Sequence, residues 1–188
     1  MILRRSLLAA AFALVLAPAL SLPVLAQQPD PENTLVLELE DGTVMIEMMP
    51  ERAPRHVERI KELTREGFYD GLKFHRVIDG FMAQTGDPTG TGRGGSDKPN
   101  LLDEFSIELF TEGAVGMAKT AAPDSANSQW FICTADCQFL NGNYTLWGRV
   151  ISGMPAVKQI KKAPRGSQSG AVNNPDEIVS LRVLADTQ

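Results

Sequence analysis

Residues 74–84 read FHRVIDGFMAQ: an apolar stretch, an Asp-Gly pair and a second apolar stretch. Asp-Gly between two such runs is the strongest short-range signal for a β-hairpin. In the first arm, strand alternation puts Phe74, Arg76 and Ile78 on one face and His75 and Val77 on the other. An arginine thus stands among apolar neighbours, although arginine is rarely buried without a partner. The local pattern leaves several readings open. Arg76 can be structural, paired with a carboxylate such as Asp87 or Asp103, or it can snorkel to water from an edge strand. It can also be a guanidinium held in an apolar groove to grip a carbonyl.

Working outward, the same grammar recurs. TLVLELE (34–40) sets Leu35, Leu37 and Leu39 against Glu38 and Glu40, and Asp41-Gly42 leads into TVMIEMM, which predicts a first hairpin. PERAPRHVERIKELTRE (50–66) spaces Ala53, Val57, Ile60 and Leu63 as one helical face, with Pro54 in the first turn and Gly67 beyond the end. Strands are predicted at 72–78 and 81–85, separated by Asp79-Gly80, and at 114–119, 129–134, 145–150 and 178–184. A glycine-rich loop covers 86–104, a short helix 154–161 and a polar loop 162–176. The total is eight strands and two helices. Eight strands can close a barrel that their own side chains fill, so the expected fold is mainly β: a closed eight-stranded antiparallel β-barrel capped by two α-helices.

The chain begins MILRRSLLAAAFALVLAPALSLPVLAQQ. Arg4 and Arg5 precede an apolar run interrupted by Pro18 and Pro23, and a small-residue triplet ends at Ala26. This is a secretory signal peptide over residues 1–26, followed by a polar lead over 27–33 and one domain over 34–188. Cleavage leaves 162 of the 188 residues, enough for a single core. The segment holds two of the 18 basic residues and none of the 23 acidic ones, so the net charge moves from −5 to −7. An acidic domain repels nucleic acid and anionic lipid surfaces, so neither is expected as a partner, and no membrane association is expected after cleavage. The expected location is the periplasm, reached by export across the inner membrane.

GTGRGG (90–95) matches a dinucleotide-binding pattern, but Ser96-Asp97-Lys98-Pro99 cannot start the helix that would hold the pyrophosphate. The two histidines, His56 and His75, lack metal-ligand companions at the required spacing, and no cofactor is expected. His75 reads as a packed core histidine. G-x-S-x-G is absent, which argues against a hydrolase of that type. Cys133 and Cys137, four apart, match no metal or redox motif and are expected as two buried free thiols.

FHRVIDGFMAQTGDPTGTGRGG, then GMAKT, then NSQWFICTADCQFLNGNYTLWGRV resemble, in order and spacing, the signature blocks of the cyclophilins. These are peptidyl-prolyl cis-trans isomerases on an eight-stranded barrel with two helices, and the likeness spans essentially the whole domain. The resemblance implies that Arg76 is the catalytic arginine and that Gln84 supports the substrate backbone beside it. It implies that Phe81, Met82, Phe131 and Leu140 take the proline ring, and that Ala118 forms part of the rim. Phe139 stands where many members have tryptophan and Tyr144 where many have histidine. The first departure bears on cyclosporin binding, the second on substrate preference. Arg93 is either a solvated loop charge or an arm reaching a second pocket. The implied substrates are proline-containing unfolded or partly folded polypeptides, served by a monomer. A module or chaperone that holds such segments without turnover is the alternative.

Overall fold

The computed structural model describes residues 28–187, so the signal peptide expected over 1–26 lies outside the described residues. Eight strands form one sheet: β1 (Thr34–Leu39), β2 (Gly42–Met48), β3 (Arg76–Ile78), β4 (Met82–Thr85), β5 (Ala114–Met117), β6 (Trp130–Cys133), β7 (Leu146–Ser152) and β8 (Ser180–Val183). Helices α1 (Pro54–Arg65) and α2 (Met154–Gln159) complete the domain. The strand order is β3-β4-β6-β5-β7-β2-β1-β8, and every pairing is antiparallel.

The expected closed barrel is corrected here. The ladder does not join β3 to β8, and the fold is an open half-barrel. Only isolated bridges cross the seam, Lys73 to Glu177 and Arg76 to Ala171. Single backbone bonds add to them, among them Phe74 N to Asp176 O at 2.9 Å and Val77 N to Gly170 O at 2.9 Å. The physical reason lies in the segments that meet there. β3 is three residues long, and the facing chain at 170–178 contains Gly170 and Pro175, which interrupt a regular ladder.

The short β3 also corrects the expected faces. Phe74 precedes the strand and turns into the main core with Val77, while Arg76 and Ile78 point to the opposite side. Gly80 closes the β3–β4 turn with φ +69°, a conformation that costs glycine little.

The main core holds the apolar faces of β1, β2 and β8 against α1. Leu35, Leu37, Val44, Ile46, Leu181 and Val183 are all fully buried. The predicted helical face docks as spaced, with Ala53, Val57, Ile60 and Leu63 at most 2% exposed. Around Trp130 the aromatic rings of Tyr69, Phe74 and Trp147 meet edge to face, with centroids 6.1, 6.4 and 5.9 Å away. A second apolar cluster, built on Met82, Phe110, Phe131, Cys133, Cys137, Leu140 and Leu146, lies on the other side of β4 and β6. Both cysteines are buried and free, as expected.

The N-terminus of α1 has no side-chain cap of its own. Glu104, from a distant loop, accepts from the backbone amides of Arg55 at 3.2 Å and His56 at 3.1 Å, and from His56 Nδ1 at 2.7 Å. A carboxylate there satisfies amides left open by the first turn and complements the helix dipole. Burial lowers the pKa of His56 from its ordinary 6.5; Glu104 and Asp103 oppose that shift, and Arg59 assists it. Nε2 of the ring meets no acceptor, so a second proton there would be unpaired. Burial likewise lowers His75, against Asp87.

A depressed histidine pKa means that the unfolded chain binds more protons than the folded one below pH 6.5. The stabilisation from these neutral rings is therefore complete above pH 6.5 and is lost as the pH falls through the lowered folded values. The urea midpoint is expected to be lower at pH 5.5 than at pH 7.5, with a weaker dependence in His56→Asn. Identical midpoints at the two pH values in the wild type would remove this account.

Candidate functional site

Sheet register assembles the site. Arg76 on β3 lies opposite Gln84 on β4, Gln84 opposite Phe131 on β6, and Phe131 opposite Gly116 on β5. One row across four strands thus sets a cation, an amide, an aromatic ring and a gap side by side. A cavity of about 110 Å³ opens over this row, lined by Arg76, Phe81, Met82, Gln84, Ala118, Lys119, Phe131, Leu140 and Tyr144. Eight of the nine residues singled out from the sequence meet there.

Phe139 is the ninth, and it does not line the cavity. It is 69% exposed, and its ring packs on Phe81 with centroids 5.1 Å apart, outward of the wall. Lys119 belongs to the cavity and was not among the candidates, although it directly follows Ala118 in GMAKT.

The partners of Arg76 decide between the readings left open above. Asp103 pairs with Lys119 at 3.2 Å. Asp87 is consumed by its own loop: burial works to raise its pKa, but Thr89 and the amides of Gly94 and Gly92 hold it down to about 2. Among the described residues no carboxylate lies within ion-pair distance of Arg76. Its guanidinium is held by neutral acceptors: Nη1 donates to Gln84 Oε1 at 3.1 Å and Nε to the Ser169 carbonyl at 3.0 Å. Nη2 donates to no described residue. Burial lowers the pKa of Arg76 from its ordinary value, and Tyr144 opposes the shift; the group stays cationic at neutral pH.

Gln84 is fixed in turn. Its Nε2 donates to Gln129 Oε1 at 2.9 Å, and Gln129 Nε2 donates to the Gly94 carbonyl at 2.8 Å. This relay locks the amide orientation that accepts from Arg76. Sequence reasoning missed Gln129 and Ser169. Gln129 sits inside NSQWF, directly before β6 and only partly buried, and Ser169 lies in a polar loop, so neither carries a local signal.

The apolar wall is an aromatic stack. Phe131 lies 5.8 Å from Phe110 in a stacked arrangement and 5.9 Å from Tyr144 edge to face. Gly116 makes room for it: a Cβ there would stand 2.5 Å from Phe131 Cζ and 2.6 Å from Phe110 Cε1. Gly116→Ala must therefore displace both rings. The expected result is about 1–3 kcal/mol of lost stability from overpacking, together with a roughly tenfold or larger loss of kcat/KM from the shifted wall. Urea unfolding and peptide turnover read the two effects separately, and an unchanged kcat/KM would show that the ring position is not critical.

Beside this cavity lies a larger one of about 570 Å³, which shares Gln84, Ala118 and Lys119 with it and is also lined by Arg93. Arg93 therefore reaches a second pocket. In chemical terms the smaller cavity presents an apolar socket with two cations on its wall, Lys119 paired with Asp103 and Arg76 held only by neutral acceptors.

Comparison with known proteins follows this geometry closely. Residues 34–183 match the family model "Cyclophilin type peptidyl-prolyl cis-trans isomerase/CLD". The chain is 49% identical to a probable peptidyl-prolyl cis-trans isomerase of Brucella suis biovar 1 over 197 residues, covering 99% of this chain and 98% of the relative. It is 38% identical to the human peptidyl-prolyl cis-trans isomerase-like 1 over 141 residues, which is 73% of this chain and 85% of that protein. The crystal structure of cyclophilin AquaCyp293 from Hirschia baltica superposes with a TM-score of 0.74 at 28% identity, covering 85% of this chain and 77% of that one. A Cryptosporidium parvum cyclophilin-type isomerase, crystallised in the presence of the dipeptide Ala-Pro, gives 0.71 at 27% identity, over 80% and 98% of the two chains.

Proposed function

This chain belongs to the cyclophilin family and is a peptidyl-prolyl cis-trans isomerase, and from that premise we propose that it serves exported proteins through the socket built on Arg76. Rotation about a peptide bond meets a barrier of about 18–20 kcal/mol because the nitrogen lone pair is delocalised into the carbonyl. For Xaa-Pro bonds both isomers are populated, and uncatalysed exchange takes on the order of tens to hundreds of seconds. Catalysis needs no covalent chemistry; it needs a site that binds the twisted amide better than either planar form.

Phe81, Met82, Phe131 and Leu140 hold the proline ring in this reading, and Ala118 and Tyr144 bound the opening. Arg76 Nη2 donates to the prolyl carbonyl, and to the nitrogen as its lone pair localises. Gln84 positions the guanidinium, and Phe139 contacts flanking residues from the rim. The partly buried site weakens solvent screening, so a preorganised donor counts for more there than in water. The observation that carries the reading is Arg76 itself: a cation at the wall of an apolar socket, held by neutral acceptors, with Nη2 left to donate.

The test is the cis-to-trans exchange rate of an Xaa-Pro peptide, followed by exchange NMR. Acceleration at catalytic enzyme concentrations is expected. A folded protein that binds the peptide and leaves the rate unchanged would be a holding module instead. The export proposal has its own test: protein recovered from the periplasmic fraction should begin at Gln27, and an intact N-terminus at residue 1 would overturn it.

A further inference from the structure

Between Leu101 and Phe110 the sequence LLDEFSIELF packs with its polarity inverted. Its carboxylates are turned toward the protein and consumed there. Asp103 Oδ2 accepts from Lys119 Nζ at 3.2 Å and from the Asp124 amide at 3.2 Å. Glu104 caps α1 and meets His56. Glu108 Oε1 lies 3.2 Å from Arg52 Nε. The apolar side chains are turned to solvent: Leu102 is 52% exposed, Phe105 47%, Ile107 86% and Leu109 50%. A surface segment ordinarily does the reverse, and clustered exposed apolar side chains mark interaction sites. Loose anchoring does not explain the inversion, since two ion pairs, with Arg52 and Lys119, and the hydrogen bond from His56 to Glu104 fasten the segment, and Phe110 at its end is buried.

The backbone, irregular here and bent at Ile107, adds a second, independent observation. Glu104 N is satisfied by Thr145 Oγ1 at 2.8 Å and Phe110 N by Asn141 Oδ1 at 2.9 Å. Between them, the amides of Phe105, Ser106, Ile107 and Leu109 have no acceptor among the described residues. Exposure alternates along 105, 107 and 109, the periodicity of an extended strand. Open amides beside exposed apolar side chains offer main-chain donors to another chain.

The strip is also continuous with the isomerase site. Lys119 Nζ stands 5.7 Å over the Phe105 ring, and Lys119 lines both cavities. At the other end Phe110 stacks on Phe131 of the socket.

We propose that residues 102–109 form a second docking surface for the same polypeptide whose Xaa-Pro bond occupies the socket. It takes up an apolar, extended flank of a non-native chain by main-chain pairing at Phe105–Ile107 and side-chain burial on Leu102, Ile107 and Leu109. The inference rests on the socket being the proline site. The strip shows no unpaired charge and adjoins a site for polypeptide, which favours a client chain as its occupant over a second copy of the enzyme.

The experiment compares two substrates on the purified full chain: an Xaa-Pro tetrapeptide too short to reach the strip, and a reduced, carboxymethylated ribonuclease whose refolding is limited by prolyl isomerisation. The triple variant Leu102→Ser/Ile107→Ser/Leu109→Ser changes exposed side chains only, and Ile107→Pro removes one open amide. For both variants KM on the ribonuclease should rise, about tenfold in the triple variant as three apolar contacts are lost, with tetrapeptide kcat/KM unchanged. Unchanged KM on both substrates overturns the proposal. So does sedimentation showing a wild-type dimer that the triple variant dissociates, which would make the strip an interface between copies. Absence of tetrapeptide turnover in the wild type would instead sink the proline-site reading; ribonuclease binding by anisotropy, lost or kept in the triple variant, would then decide the strip by itself.

Discussion

Arg76→Ala should lower kcat/KM for an Xaa-Pro peptide by roughly 10²–10³-fold, corresponding to about 2.7–4 kcal/mol of transition-state stabilisation, the range for removal of one preorganised donor. The loss should appear in kcat with KM little changed, because the guanidinium interacts most strongly with the twisted amide. Folding should survive. Arg76 has no carboxylate partner to strand; of the acceptors it releases, Gln84 Oε1 adjoins the open cavity and Ser169 lies on an exposed loop. Arg76→Lys should recover little of the activity, because a single ammonium nitrogen lacks the planar fork that reaches Gln84 and Ser169 from separate nitrogens and presents a third to the substrate. Exchange NMR on both variants measures the effect. A loss below about threefold in Arg76→Ala would remove electrostatic stabilisation by Arg76 from the mechanism.

Trp130→Ala should cost about 3–5 kcal/mol of stability, the range for deleting a large buried aromatic side chain. Trp130 is fully buried and is the hub on which Tyr69, Phe74 and Trp147 meet edge to face. The three rings left around the vacated centre cannot collapse into the cavity without breaking the rest of their packing, so little of the loss is recovered by relaxation. Against a typical total of about 5–15 kcal/mol, the variant approaches the unfolding threshold at moderate temperature. Urea unfolding at 25 °C measures the difference, and a cost under about 1 kcal/mol would mean that the hub repacks freely. The residue beside it, Phe131, points the other way into the socket. One step of strand alternation therefore separates the variant expected to unfold the protein from one expected to impair its site.

Much of this fold is local and so could be read locally. Leu35, Leu37 and Leu39 alternate and are buried, and Ala53, Val57, Ile60 and Leu63 follow the helical repeat and dock. Asp79-Gly80 turns the chain between β3 and β4. Each follows from a period of two or 3.6 residues, or from one residue's φ preference, and needs no distant partner. Eight residues of the socket came from the likeness of the signature stretches to the cyclophilins; only pairs such as Arg76 and Gln84 are also close along the chain, across one hairpin.

What the sequence left open depends on which distant segments meet. The closed barrel fails because β3 faces the irregular chain at 170–178, and no local pattern shows that pairing. Phe74 leaves the Arg76 face because β3 begins only at Arg76, as the Trp130 cluster draws Phe74 into the core. Gln129 and Ser169 became visible only once the residue before β6 was brought against Gln84 and a loop about ninety residues along the chain against Arg76. The inverted strip at 102–109 has the apolar content of a buried strand; only the ion pairs with Arg52 and Lys119 and the hydrogen bond from His56 decide that its carboxylates face inward. The sequence by itself determined element type and the hairpin turns, because these rest on short-range periodicity and backbone preference; the residues of the socket came from the likeness to the cyclophilin signature stretches, since alternation alone also fits a buried core. The tertiary structure alone decided that Arg76 has no carboxylate partner, since Asp87 and Asp103 are claimed elsewhere by groups far along the chain, and pairing of charges is settled by proximity in space.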